Sequence, residues 1–163
     1  MKHLYFFLVV TLINVLRMGT GVYLEIPNFV LILLFIYAVG MGRVAGGIMA
    51  LSVGLVEDAM IGRAVGIYAA SYLIVVYLAA YLASYKAISK NLVNLFVLFL
   101  VGSVLYELLF WFFTELIFEP GGSFVTIFDL QLLIMVVIQS VIGIILYPWI
   151  SRLLAKGGYL FKY

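Results

Sequence analysis

The chain alternates long apolar runs with short segments that hold most of its charged side chains. Each run has the length and composition of a buried or membrane-spanning helix. Charged positions separate the later runs, at Arg43, at Glu57 to Arg63, at Lys86 to Lys90 and between Glu119 and Asp129. The pattern predicts six helices, at approximately residues 3–19, 27–41, 44–57, 64–85, 92–113 and 130–150.

The second predicted helix is short for a membrane span. Pro27 suits its first turn, where the missing N–H is harmless, and the apolar run ends near Met41. At 1.5 Å per residue this run is roughly 22 Å long, less than the ~30 Å of a hydrocarbon core. We therefore expect either an extension at one end of the helix or a locally thinned bilayer.

The amino-acid composition indicates that lipid surrounds the protein. Hydrophobic residues make up 67% of the 163 residues, and the mean hydropathy is +1.30. A water-soluble domain of this size buries only about 70% of its surface, so much of this apolar excess would face water. The predicted fold class is all-α: residues 1–163 form one polytopic membrane domain, with six transmembrane helices in one bundle and no separate soluble lobe.

The distribution of basic residues predicts an orientation. With a cytoplasmic N-terminus, seven basic residues fall inside and only Arg17 and Arg63 fall outside. Cytoplasmic segments carry the excess of Lys and Arg in multi-pass proteins. We expect both termini in the cytoplasm of a bacterium, with the protein in its inner membrane. The seven inner residues are Lys2, Arg43, Lys86, Lys90, Arg152, Lys156 and Lys162.

Few side chains suit catalysis or metal binding. The chain has no cysteine, and its one histidine, His3, lies beside Lys2 at the terminus, where we expect it at headgroup depth. The nine basic residues are scattered along the chain, which argues against nucleic-acid binding. We predict no enzymatic activity, no catalytic residue, no metal and no cofactor, and we expect lipid as the surrounding medium.

Small residues recur every four positions along the third helix. Since four positions are close to one helical turn, they predict a narrow groove that lets another helix approach closely. Packing within the same bundle is the favoured interpretation, and docking of another protein's transmembrane helix is the alternative. The groove consists of Gly42, Gly46, Ala50 and Gly54, and a second small set, Gly62, Gly66 and Ala70, leads into the fourth helix.

Acidic residues occupy two kinds of position. Glu57 and Asp58 point about 100° apart on a helix and do not form a convergent pair, so we favour a solvated turn or an ion pair with Arg63. Catalysis and recognition of a partner's charged segment are the alternatives. Glu107 lies inside the fifth helix, one turn after Ser103, where a carboxyl group is costly and calls for a structural or functional partner. Candidate partners for Glu107 are Asn14, Gln131 and Gln139.

Several segments together resemble the bacterial rod shape-determining protein MreD family. Pro27-Asn28 opens an apolar helix, Gly54-Leu55-Val56-Glu57-Asp58 precedes Gly66, and a tyrosine-rich run follows from Tyr68 to Tyr81. Weaker matches are Glu107 to Trp111 and Tyr147-Pro148-Trp149. Because these segments keep the family's order and spacing over most of the chain, the sequence is identified as similar to MreD.

The resemblance implies a non-enzymatic inner-membrane component of the cell-elongation machinery, supporting rod shape and peptidoglycan synthesis. It implies binding to the single-pass protein MreC and, through MreC, association with MreB, RodA and a class B penicillin-binding protein. It also implies a fold similar to the substrate-binding subunits of energy-coupling-factor transporters. On this hypothesis Gly46, Gly54, Asp58 and Gly66 shape the partner-binding surface, while Glu107 fixes the bundle or lines a polar cavity.

The alternative function is the small-molecule-binding subunit of an energy-coupling-factor vitamin transporter, which is also a six-helix protein of this length. Such subunits carry an alanine-spaced motif on the first helix. The first helix of this chain has Thr11 and Val15 and contains no alanine. This difference disfavours the alternative.

Overall fold

A computed structural model describes residues 2–19, 27–61, 66–84, 91–117 and 130–155. Over these ranges the chain is entirely helical apart from short turns and caps, which confirms the predicted all-α class. Six helices are present in this part of the chain, as predicted. They are α1 (Lys2–Gly19), α2 (Phe29–Met41), α3 (Arg43–Ile61), α4 (Ile67–Ala83), α5 (Leu92–Ile117) and α6 (Leu130–Ala155).

Three of the described helices extend beyond their predicted ends, and one of them, α5, continues past residue 113 to Ile117. α3 continues through Glu57 and Asp58 to Ile61, so these acidic residues lie in its last turns and not in the connection that follows. α6 continues past Pro148 to Ala155. A proline inside a helix removes one backbone hydrogen bond, and transmembrane helices tolerate this loss where neighbouring groups satisfy the freed carbonyl.

α2 is the central helix of the bundle. It packs against α1, α3, α4 and α6, and it also touches α5. Because neighbours surround it, most of its side chains are buried. The buried set is Val30, Leu31, Ile32, Leu34, Phe35, Ile36, Tyr37 and Ala38.

α3 and α4 form the most extensively packed pair, and they run antiparallel. Gly54 near the end of α3 lies against Ala69 near the start of α4, and the Arg43 guanidinium lies 5.7 Å from the centre of the Tyr81 ring at the opposite end. α5 then packs on α4 and α6, while α1 lies at the edge, on α2 and α3.

A single residue joins α2 to α3. Gly42 donates its N–H to the Ala38 carbonyl, and its own carbonyl accepts the N–H of Gly46 at 2.9 Å. Its φ of +89° is a backbone conformation that favours glycine. The space beside Gly42 is open, so it contributes a turn and not a close helix contact.

Glycines elsewhere allow close packing within the bundle. A Cβ atom at Gly46 would lie 2.5 Å from the Ala38 Cβ of α2, and one at Gly54 would lie 2.7 Å from the Ala69 backbone nitrogen of α4. Ala50, between them on α3, is fully buried. Gly46 and Gly54 therefore pack against this chain's own α2 and α4, which is the arrangement of the favoured interpretation, while docking of another protein's helix stays a prediction.

Three helices are long and apolar enough to cross a membrane. They contain the stretches Arg43–Ile61, Leu92–Glu115 and Leu130–Leu154. The other apolar helices are shorter, over His3–Leu16, Phe29–Met41 and Ile67–Ala83. That all six cross the bilayer stays a prediction.

The tight α3–α4 contact predicts that replacement by alanine changes the stability of the protein differently at Gly54 and at Gly47 of α3. Gly54→Ala should destabilise the protein by about 1–3 kcal/mol, because the new methyl group would overlap the backbone of α4, which has no free space to move into. The midpoint of thermal unfolding in detergent measures this.

Gly47→Ala is the matched control, because its Cβ would meet only side-chain atoms, Leu73 Cδ1 at 3.4 Å and Tyr77 Cδ2 at 3.5 Å. It should leave the unfolding midpoint unchanged or raise it slightly. Equal losses for the two variants would contradict the packing described for α3 and α4.

Candidate functional site

Asp58 caps the start of α4 from the end of α3. Its Oδ2 accepts the backbone N–H groups of Gly66 at 2.9 Å and Ala69 at 3.1 Å, and its Oδ1 accepts that of Tyr68 at 2.9 Å. These donors belong to the first turn of α4, where no carbonyl within the helix can pair them. Asp58 is buried, so the carboxylate replaces the water that would otherwise satisfy them.

The position of Asp58 makes this contact specific. An acidic residue in the last turn of a helix is disfavoured by the partial negative charge of that helix end. The start of α4 presents the opposite partial charge together with N–H donors, so Asp58 is favourable only if α4 begins beside it. This contact therefore fixes the start of α4 relative to the end of α3.

The favoured interpretation of Glu57 and Asp58 as a solvated turn is wrong, because both side chains are buried. The spacing argument that they do not converge is consistent with the Asp58 contacts, which all go to backbone groups of α4. Arg63 and Gly62 lie outside the described residues, so the predicted ion pair and the role of Gly62 stay predictions.

Gly66 has a different role from the other small residues. It immediately precedes α4 with φ of +115°, and the space beside it is open. Its N–H donates to Asp58, and its carbonyl accepts the N–H of Ala70. Gly66 thus supplies the backbone turn that aims the α4 amides at Asp58.

A second buried cap begins α2. Asn28 Oδ1 accepts the N–H of Leu31 at 3.1 Å, while the Asn28 backbone N–H donates to Gln139 Oε1 of α6 at 3.0 Å. The Asn28 side-chain amide also donates to the Tyr72 hydroxyl of α4 at 3.0 Å. The start of α2 is therefore connected to two other helices by hydrogen bonds.

The same polar network reaches the fifth helix through Ser103. Gln139 Nε2 donates to Ser103 Oγ at 2.9 Å, and both side chains are buried. Ser103 thus makes a hydrogen bond between α5 and α6. The chain of contacts from Tyr72 through Asn28 and Gln139 to Ser103 joins α4, α2, α6 and α5.

Glu107 lies one turn further along α5, and its side chain is only partly buried. Of its three candidate partners, Gln139 uses its amide on Asn28 and Ser103, and Gln131 is exposed at the start of α6. Asn14 is fully buried on α1, which packs against α2 and α3. The Glu107 carboxyl lies close enough to the Tyr106 phenol to interact with it electrostatically, as does that of Glu57.

An aromatic stack that the sequence analysis did not identify fills one half of the α4–α5 contact. The Tyr72 and Tyr106 rings are nearly parallel with centres 5.0 Å apart, and Tyr68 lies 4.8 Å from Phe110. The signal in the sequence is the four-residue spacing of Tyr68 and Tyr72 on one helix and of Tyr106 and Phe110 on the other. Offset aromatic pairs of this kind add stability beyond their buried area.

The other half of the α4–α5 contact is an apolar groove of about 340 Å³. Buried side chains such as Ala79 and Leu98 form its floor, and exposed ones such as Leu82 and Val101 form its rims. Asn94 is its one polar lining residue. The groove opens sideways, toward the region that a bilayer would occupy.

Several polar side chains of the bundle interior cap a helix start or bond to another helix. Within the described ranges, no group of three or more His, Asp and Glu side chains is arranged to hold a metal ion. Asp58 and Asn28 accept backbone amides, and Ser103 and Gln139 bond each other. The chemistry of this arrangement is recognition of one helix by another.

A comparison with protein families matches residues 2–157 to the model described as rod shape-determining protein MreD. This match covers nearly the whole chain and confirms the resemblance found in the sequence. No curated protein and no solved structure matches the chain. The predicted likeness to energy-coupling-factor subunits therefore stays a prediction.

Because the Asp58 cap is buried, its substitution should lower the stability of the protein more than substitution of an exposed cap. In Asp58→Asn only one oxygen remains to accept three N–H groups, and each buried N–H left unpaired costs about 1–3 kcal/mol. The thermal unfolding midpoint should fall markedly. Asn91→Ala is the control, because Asn91 caps α5 at an exposed position where water can replace it. A smaller loss for Asp58→Asn than for Asn91→Ala would contradict the buried cap.

The Asn28–Tyr72 hydrogen bond predicts energetic coupling between α2 and α4. A double-mutant cycle of Asn28→Ala and Tyr72→Phe should give an interaction energy of about 0.6 kcal/mol, the average for hydrogen bonds between membrane helices, and at most about 1.7 kcal/mol. Unfolding in mixed detergent micelles supplies the four free energies. Additive effects would show that the two side chains do not share a bond.

Proposed function

The chain belongs to the MreD family of rod shape-determining proteins, and from this membership we propose that it is an inner-membrane scaffold that binds MreC. Membership gives the chain a role in rod shape determination. Binding of MreC and support of peptidoglycan synthesis are the finer parts of the proposal. In this role the protein carries out no reaction; it presents a fixed surface to a partner.

We propose that all six helices cross the bacterial inner membrane with both termini in the cytoplasm. The three long apolar helices support this setting. The short helices α2 and α4 fit it as well, because Asn28 and Asp58 accept backbone amides at their starts that hydrocarbon could not pair. The excess of basic residues on one side supports the orientation.

The observation that carries the proposal is the locked α3–α4 pair. Two antiparallel helices are held in contact by Gly54 and by Asp58, which lie one turn apart and both meet the start of α4. Their outer side exposes apolar side chains to the bilayer, among them Leu51, Leu55, Ile74 and Tyr77. Because apolar burial alone favours no partner in lipid, a helix binds there through close packing, which requires a rigid surface.

On this proposal the sequence-predicted residues act indirectly. Gly46, Gly54, Asp58 and Gly66 shape the surface by fixing α3 against α2 and α4, and Gly42 fixes the α2–α3 turn. None of them needs to touch MreC. Glu107 and Ser103 contribute through α5 and the bundle interior.

The other proposed partners would associate with this chain through MreC. We propose that MreB, RodA and a class B penicillin-binding protein associate with this chain through MreC, within the cell-elongation machinery. The vitamin-transporter alternative has no support from the comparisons, and we do not propose it.

The α3–α4 surface predicts which substitutions weaken MreC recovery. Leu51→Ala combined with Tyr77→Ala removes two exposed side chains beside the contact of the two helices. At roughly 1 kcal/mol for each truncated contact, recovery of MreC by co-purification from detergent should fall about tenfold or more.

The matched control is Leu8→Ala combined with Tyr5→Ala, which truncates the same two residue types at more exposed positions of α1. It should leave MreC recovery unchanged, and both double variants should keep the wild-type unfolding midpoint. Equal recovery of MreC with the two double variants would show that MreC binds another face of the protein. Failure of the wild-type protein to retain MreC at all would overturn the proposed function itself.

A further inference from the structure

We infer that the α4–α5 groove holds one acyl chain of an anionic phospholipid. The groove is defined above by Ala79, Leu82, Leu98 and Val101, with Asn94 near one end. Its occupant is a lipid from the leaflet on the Arg43 side of the bundle. This inference does not depend on MreC binding, because it concerns a different face of α4.

The length of the groove matches one leaflet. On α5 its lining runs from Asn94 to Leu105, which is roughly 16 Å of helix at 1.5 Å per residue. Half of a ~30 Å hydrocarbon core is about 15 Å. A partner's transmembrane helix would need a surface of the full thickness, whereas an acyl chain needs only one leaflet.

Aromatic rings explain why the groove ends near the middle of the bundle. Beyond it, Tyr72 stacks on Tyr106 and Tyr68 packs on Phe110, so α4 and α5 have no gap there. Toward the other end the side chains between the helices are aliphatic and leave an open space. In a bilayer this space is filled by hydrocarbon, because an empty gap would forfeit the dispersion contacts of its walls.

Charge at the open end favours an anionic headgroup. Leu82 lines the groove one residue after Tyr81, whose ring carries the Arg43 guanidinium above it. Basic residues at a membrane surface attract anionic lipids, and Asn94 adds a polar side chain beside the groove.

Native mass spectrometry of the full chain tests the inference. The purified protein is mixed with equal amounts of dioleoyl phosphatidylglycerol and dioleoyl phosphatidylcholine, and bound lipid is counted. Phosphatidylglycerol should be retained about fivefold or more over phosphatidylcholine, as expected from one basic residue at the surface. Equal retention of the two lipids would overturn the choice of an anionic ligand.

Variants in which large side chains fill the groove should retain less phosphatidylglycerol. Val97→Trp combined with Val101→Trp places two large rings in the groove from its exposed rim. Retention of phosphatidylglycerol should fall several-fold. Val137→Trp combined with Val141→Trp adds the same bulk at the same spacing on the exposed side of α6 and should change nothing. Equal retention by both variants would place the lipid elsewhere and overturn the site.

Photo-crosslinking keeps the test independent of the folding of the double variants. A benzophenone amino acid at position 101 should form a lipid adduct in membranes. The same group at position 141 should form markedly less of an adduct with phosphatidylglycerol. A protein-sized adduct at position 101 would assign the groove to a partner's helix and overturn the inference. That result would leave the MreC proposal intact, since MreC binding is measured separately.

Discussion

The bundle depends on the need to satisfy backbone amides at helix starts inside an apolar interior. A helix begins with N–H groups that have no partner within the helix, and hydrocarbon offers none. Asp58 supplies acceptors for α4, and Asn28 with Gln139 does so at the start of α2. Each cap comes from, or is bonded to, a neighbouring helix. The same bonds that satisfy the amides of these short helices therefore also decide which helices are neighbours.

Close packing and polar caps act together. Gly54 lets the α3 and α4 backbones approach near the point where Asp58 binds the α4 amides. A larger residue at position 54 would separate those groups and lengthen the hydrogen bonds. Dispersion between backbones and hydrogen bonding at the helix start thus reinforce each other, which matters where apolar burial gives no net drive. The result is a stiff pair of helices rather than a set of independent spans.

The sequence predicts the number of helices because hydrophobic runs and charged breaks are local signals. It also identifies Gly46 and Gly54 as packing residues from their spacing, but spacing does not say which helix they meet. Asp58 was misassigned because its neighbours in sequence are charged, whereas its partners are amides eight to eleven residues later. The Asn28–Gln139 contact joins residues 111 positions apart, and no local pattern encodes such a pairing.

The one-residue junction at Gly42 has a consequence for anyone who wishes to label this protein. Because α2 ends at Met41 and α3 begins at Arg43, Gly42 is the whole connection, and no further loop residue can accommodate an insertion. An epitope tag or fluorescent reporter spliced there would have to unwind one helix or the other before it found room. A fusion partner should therefore be placed outside the Gly42 turn, and the length of this connection should not be changed.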